Sequence, residues 1–139
     1  MSLFDEDEFG RWLRQGEDTL RSAESDLKNG HFNWACFKCQ QAAEYATKAA
    51  LRGLGRAAAG HSVLQLLEEL KTLGSEVTPE LESSARTLDR LYIATHYPNA
   101  HPAGSPFEFY DEGIGRQAIA CAETILDFVR KEKEKCVGP

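Results

Sequence analysis

The 139-residue chain is long enough for one domain with one core and too short for two ordinary ones, so a single domain over residues 1–139 is expected; 42% hydrophobic and 27% charged residues exclude collagen-like, mucin-like and grossly disordered classes. Sixteen Lys and Arg against twenty-two Asp and Glu leave a net charge of −6, which argues against a basic coat for bulk nucleic-acid binding but leaves room for a local basic site. No run reaches the roughly 18 apolar residues of a membrane span, and the opening MSLFDEDEFG is acidic where a secretory signal is basic then apolar; a soluble cytoplasmic protein is expected.

The first helix is predicted from about Asp5 to Lys28. Phe9, Trp12, Leu13, Leu20, Ala23 and Leu27 recur at helical spacing, and Asp5, Glu6, Asp7 and Glu8 suit the positive end of the dipole. Asn29-Gly30 is a stop signal. A second helix is predicted from Phe32 to Arg52. It carries a seam of small residues, Ala35, Cys39, Ala42, Ala46 and Ala49, which admits another helix at close range. Cys36 and Cys39 form a CxxC with no second ligand pair and no preceding strand, so they read as small helix residues rather than a zinc or redox site. Gln40, Glu44 and Lys48 stack on one face, which is either a solvated face with an ion pair or a face turned toward a partner or ligand.

The glycines of GLGRAAAG follow no strand and precede no GK[ST], so no nucleotide-cradling loop is expected there. Ser62 and Gln65 match a capping box that opens a short helix to about Lys71, closed by Gly74. Thr78-Pro79-Glu80 is a strong helix start, with Leu81, Ala85, Leu88 and Tyr92 as the buried stripe and an end near Thr95, before Pro98. Residues 98–106, PNAHPAGSP, read as a loop, and a last helix is predicted from Asp111 to Lys133 with Ile114, Ala118, Cys121, Ile125 and Phe128 inward. No segment alternates with period two. The expected fold is all-α, an up-and-down bundle of four long helices and one short one.

His31, His61, His96 and His101 form no HExxH or HxxxH pair, so neither a metal nor a cofactor is expected. His31 and His61 read as polar residues at helix starts. The chemically suggestive stretch is ARTLDRLYIATHYPNAHP. Arg86 and Arg90 lie one turn apart, and His96 follows Arg90 by six residues near a helix C-terminus. Six steps rotate a continuous helix by about 240°, so Arg90 and His96 converge only if the helix frays before Pro98 or if a second subunit supplies one of them. An arginine can hold a phosphodiester with two parallel hydrogen bonds, and a histidine can move a proton at a ribose hydroxyl or leaving oxygen, without metal.

The segments NWACFKCQQAAEYATKAALRGLG, GHSVLQLLEEL and LDRLYIATHYPNA resemble the HEPN (higher eukaryotes and prokaryotes nucleotide-binding) domain family from Trp12 to the last helix. The resemblance implies a helical bundle that forms a homodimer with a cleft between subunits. It also implies a nucleotide or RNA ligand and a minimal nucleotidyltransferase partner, in either of two modes. One is a non-catalytic or weakly active binding module. The other is a metal-independent endoribonuclease toxin, with Arg90 clamping the phosphate and His96 as general acid/base. Arg86, Tyr97, Asn99 and His101 are the expected nucleotide or RNA contacts. Leu91 follows Arg90 where the active family motif usually has a polar residue, and Tyr97 directly follows His96 where modified toxin members carry their tyrosine one position later.

Overall fold

A computed structural model describes residues 3–138. Five α-helices, α1 (Glu6–Lys28), α2 (Phe32–Gly53), α3 (Val63–Thr72), α4 (Pro79–Ala94) and α5 (Glu112–Val137), account for the architecture, with no strand among the described residues. The helix starts follow their caps: Asp5, Ser62, Thr78 and Asp111 each accept the backbone N–H three residues on, at 3.0, 3.1, 3.2 and 2.9 Å.

Helix α2 is the central element, touching α1, α3, α4 and α5. Its small-residue seam, Ala35, Cys39, Ala42, Ala46 and Ala49, is fully buried. The tightest approach comes from α1. A Cβ built on Gly16 would lie 3.0 Å from the Ala42 carbonyl oxygen and 3.2 Å from Tyr45 Cβ, so hydrogen is the only side chain that fits without movement. The two helices run antiparallel: Trp12 lies on Tyr45, and Asp5 N–H donates to the Gly53 carbonyl at 2.7 Å. Helix α5 closes the bundle through Ala118, Ala122, Ile125, Leu126 and Val129. The predicted Ile114 and Cys121 pack against the core only partly buried.

Two expectations are adjusted. Helix α5 continues four residues beyond Lys133, because Glu134 and Lys135 favour the helix and the stop comes at Gly138, whose φ is +87°. The segment after α4 is not plain loop: Pro98–Ala100 and Pro106–Phe109 are short 3₁₀ turns, each opened by a proline whose fixed φ suits the first helical position. Among the described residues no helix is long and apolar enough to cross a membrane.

Candidate functional site

The C-terminal end of α4 is held from three sides. Thr95 is buried and its hydroxyl donates to the Leu91 carbonyl at 2.6 Å. Asn33, at the start of α2, donates its amide to the Thr95 carbonyl at 3.0 Å. His101 Nε2 lies 2.7 Å from the Ala94 carbonyl, so Nε2 carries the proton and closes the helix end. His96 and Tyr97 both donate their N–H to Ile93, at 3.3 and 3.1 Å. The helix therefore does not fray before Thr95, which keeps right-handed helical angles. The rotation of about 240° between Arg90 and His96 persists.

Arg86, Arg90, Ile93 and Tyr97 are all exposed on one face, spaced four, three and four apart. Neither arginine forms an ion pair or side-chain hydrogen bond among the described residues. Ile93 and Tyr97 each keep 48% of their surface exposed.

His96 turns the other way, into an aromatic cluster. Its ring centroid lies 4.3 Å from Phe37, 4.4 Å from Tyr97 and 5.6 Å from Tyr92, and Phe37 in turn meets the half-exposed Trp34 edge-on at 6.1 Å. Burial pushes the His96 imidazole below its ordinary value, against a smaller opposing pull from a hydrogen bond with the Tyr92 backbone. The ring is neutral at pH 7, with hydrophobic walls and a wet edge. Asn99 is exposed in the first 3₁₀ turn, and the His101 ring stacks on Phe109 at 4.3 Å. Among the described residues no three His, Cys, Asp or Glu are grouped to hold a metal ion.

The Gln40/Glu44/Lys48 stripe is not a solvated face. Gln40 and Glu44 are buried against the start of α3 and the middle of α4. Gln40 donates to the His61 carbonyl at 2.6 Å, Gln41 donates to Gln40 at 2.8 Å, and Lys48 pairs with Glu44 Oε2 at 2.9 Å. Glu44 Oε1 receives His61 Nδ1 at 3.2 Å. Burying that many polar atoms is tolerable only because they satisfy one another.

Asp89 was not foreseen from sequence. Its carboxylate accepts the Val63 N–H at 2.9 Å, the Leu64 N–H at 3.0 Å and the Ser62 hydroxyl at 3.0 Å. Half of the predicted capping box forms, with the Gln65 N–H donating to the Ser62 hydroxyl oxygen, and the Val63 and Leu64 amides, which a capping box leaves open, go to Asp89. Tyr92, one turn along α4, stacks on the His61 ring at 4.9 Å with 17° between planes. His61, Ser62, Asp89 and Tyr92 line an open depression of about 200 Å³.

Cys36 and Cys39 are buried, as read from sequence. Burial pushes the Cys36 thiol up to about 12 and the Cys39 thiol up as well, so neither supplies a thiolate nucleophile.

Comparison with known proteins gives a consistent set. Residues 9–133 match the HEPN domain. The crystal structure of TT1696 from Thermus thermophilus is 40% identical, covers 89% of this chain and 97% of its own, and superposes with a TM-score of 0.87. ST0689, described as an archaeal HEPN homologue, is 30% identical over 94% of this chain and 98% of its own, with a TM-score of 0.75. The HEPN domain protein tm0613 from Thermotoga maritima is 36% identical over 87% of this chain and 95% of its own, with a TM-score of 0.72. A stretch of 75 residues, 52% of this chain, is 31% identical to RING finger protein 207 of Bos taurus and spans only 14% of that protein.

Proposed function

The chain belongs to the HEPN domain family, and from that premise we propose that it is a nucleotide- or RNA-binding module. Two copies pair along the end of α4, and the module works with a minimal nucleotidyltransferase partner in the cytoplasm. One observation carries the reading: Arg86 and Arg90, neither in an ion pair among the described residues, stand on an exposed helix face whose end carries Ile93 and Tyr97 and borders Trp34 and the His96 cluster. Guanidinium groups hold phosphate, and aromatic rings stack on bases whatever their sequence. In a chain of net charge −6 this is a local basic and aromatic patch rather than a general polyanion surface. The half-exposed Trp34, Ile93 and Tyr97 are also what a second copy would cover. The nucleotidyltransferase partner rests on the family resemblance.

Binding rather than turnover is favoured because Arg90 and His96 stand on different faces of a regular helix and His96 is wedged among aromatic rings. The second reading, a metal-independent endoribonuclease toxin, draws on one fact: a neutral imidazole is a ready base. It requires Arg90 of one copy to face His96 of the other.

The test is a labelled single-stranded RNA titrated in EDTA against wild type and the Arg86→Ala/Arg90→Ala double variant, with molar mass followed by light scattering. The binding reading expects a dimer, intact RNA, and at least tenfold weaker binding by the variant. The nuclease reading expects cyclic-phosphate ends that vanish in both Arg90→Ala and His96→Ala. Equal affinity of wild type and the double variant sinks the assignment of the arginines.

A further inference from the structure

The depression at the start of α3 lies beside the arginine face and has a chemistry of its own. We propose that it is a ribose-binding subsite, in which the outward nitrogen of His61 accepts a hydrogen bond from a sugar hydroxyl. The proposal rests on the nucleotide- or RNA-binding reading above and names what would distinguish ribose from deoxyribose there.

The acceptor is set by the buried polar stripe. Glu44 takes the Lys48 ammonium on Oε2 at 2.9 Å and so presents Oε1 as an acceptor to His61 Nδ1 at 3.2 Å. A carboxylate oxygen cannot donate, so Nδ1 carries the hydrogen, and in the neutral ring the lone pair lies on Nε2. The Glu44 side chain is 9% exposed and that of His61 is 62% exposed, so the pair is anchored inside and Nε2 reaches solvent without a partner among the described residues. Tyr92 supports the ring from below by stacking at 4.9 Å.

The rest of the lining selects the ligand group. The start of a helix ordinarily attracts phosphate. Here the Val63 and Leu64 amides are taken by Asp89 and the Gln65 amide by Ser62. Asp89 also brings a negative charge to the wall, so a phosphate is repelled. Both Asp89 oxygens are taken by Ser62, Val63, Leu64 and Gln40, so what remains is the acceptor lone pair of His61 Nε2, with the Tyr92 hydroxyl beside it. A hydroxyl donor fits this lining, and an anion does not. The volume of about 200 Å³ is less than the roughly 300–1,000 Å³ of sites for drug-sized ligands and has room for a sugar rather than a whole nucleotide. The phosphates of the same strand are left to Arg86 and Arg90, which stand together on the next face of α4.

The experiment compares 5′-labelled oligouridylate with oligodeoxyuridylate of equal length, which differ only in the 2′-hydroxyl, by fluorescence anisotropy. Wild type is expected to favour the ribo-oligomer at least fivefold. His61→Phe keeps a flat ring on Tyr92 and removes the acceptor. It is expected to bring the ratio to about one, with deoxy-oligomer affinity unchanged. Imidazole nitrogen NMR of the wild type, which needs no variant, is expected to show the His61 proton on Nδ1 and a shift of Nε2 on adding the ribo-oligomer only. Equal wild-type affinity for both oligomers, an unchanged ratio in a folded His61→Phe, or a proton on Nε2 overturns the subsite while leaving the binding reading intact. Failure of wild type to bind either oligomer overturns both.

Discussion

Removing Asp89 should destabilise the fold more than any other single polar change on α4. Its carboxylate holds the Ser62 hydroxyl and the Val63 and Leu64 amides, at 3.0, 2.9 and 3.0 Å, and so fastens the start of α3 to the middle of α4. In Asp89→Ala the Val63 amide, on a residue with no exposed surface, loses its partner, at a cost of about 1–3 kcal/mol for an unsatisfied buried donor. The Leu64 amide and Ser62 hydroxyl are closer to water and recover part of their bonding, adding about 1 kcal/mol together. The sum is about 3 kcal/mol, or a fall in Tm of about 10 °C for a chain of this size. Asp89→Asn keeps one acceptor oxygen and should lose about half as much. Urea unfolding followed by circular dichroism measures both, and hydrogen exchange should show the Val63 and Leu64 amides released first. A double-mutant cycle with Ser62→Ala should give a coupling of about 1 kcal/mol. An Asp89→Ala protein within about 0.5 kcal/mol of wild type, with both amides still protected, would refute the reasoning, since it would mean that α3 is held by its apolar face alone.

Gly16→Val should cost about 2–3 kcal/mol, read by thermal melting, because the new branches meet the Ala42 carbonyl and Tyr45 where a single Cβ already crowds them; an unchanged melting temperature would show that α1 can lift from α2 at no cost. At pH 8, iodoacetamide followed by mass spectrometry should label the exposed Cys136 well before the buried Cys36 and Cys39, whose raised thiol values leave almost no thiolate; labelling of Cys36 in the native state at the rate of Cys136 would contradict the packing. His96 binds its proton less readily in the folded than in the unfolded chain, where the ordinary value is about 6.5. The unfolded state therefore takes up more protons below that pH, so this contribution to stability is complete above about pH 6.5 and is lost as the pH falls toward the folded-state value. Ring-proton NMR should place the His96 midpoint below that of a free imidazole, and His96→Gln should soften the fall in stability between pH 7 and 5; a midpoint at or above 6.5 would remove the hydrophobic walls from the account.

Local signals in the sequence carry the helices well. Asp5, Ser62 and Thr78-Pro79 announce their helix starts within four residues, and the apolar stripes repeat at the helical period, so each element could be read without knowing its neighbours. The polar half of the structure is of another kind. Glu44 and Lys48 at i,i+4 announce a shared face but say nothing of what lies against it, and its true neighbours, His61 and Asp89, stand 17 and, for Gln40, 49 residues away. Asp89 sits beside Leu88 and Arg90, with no periodic mark to separate it from an ordinary exposed helix acid. His101, expected as a ligand contact, closes α4 by a bond to Ala94 that no loop composition foretells. The residues that shape the depression are thus those whose roles depend on tertiary pairing, while Arg86 and Arg90 were legible because exposure is the default for arginine on a helix face opposite the core. The same difference bears on chemistry. The rotation of about 240° between Arg90 and His96 follows from helix geometry alone and survives in the structure because Thr95, Asn33 and His101 hold the helix end. Any joint action of the two on a phosphodiester must then come from a second chain placed across α4, and disrupting the half-exposed Trp34 and Ile93 should abolish it without touching either residue.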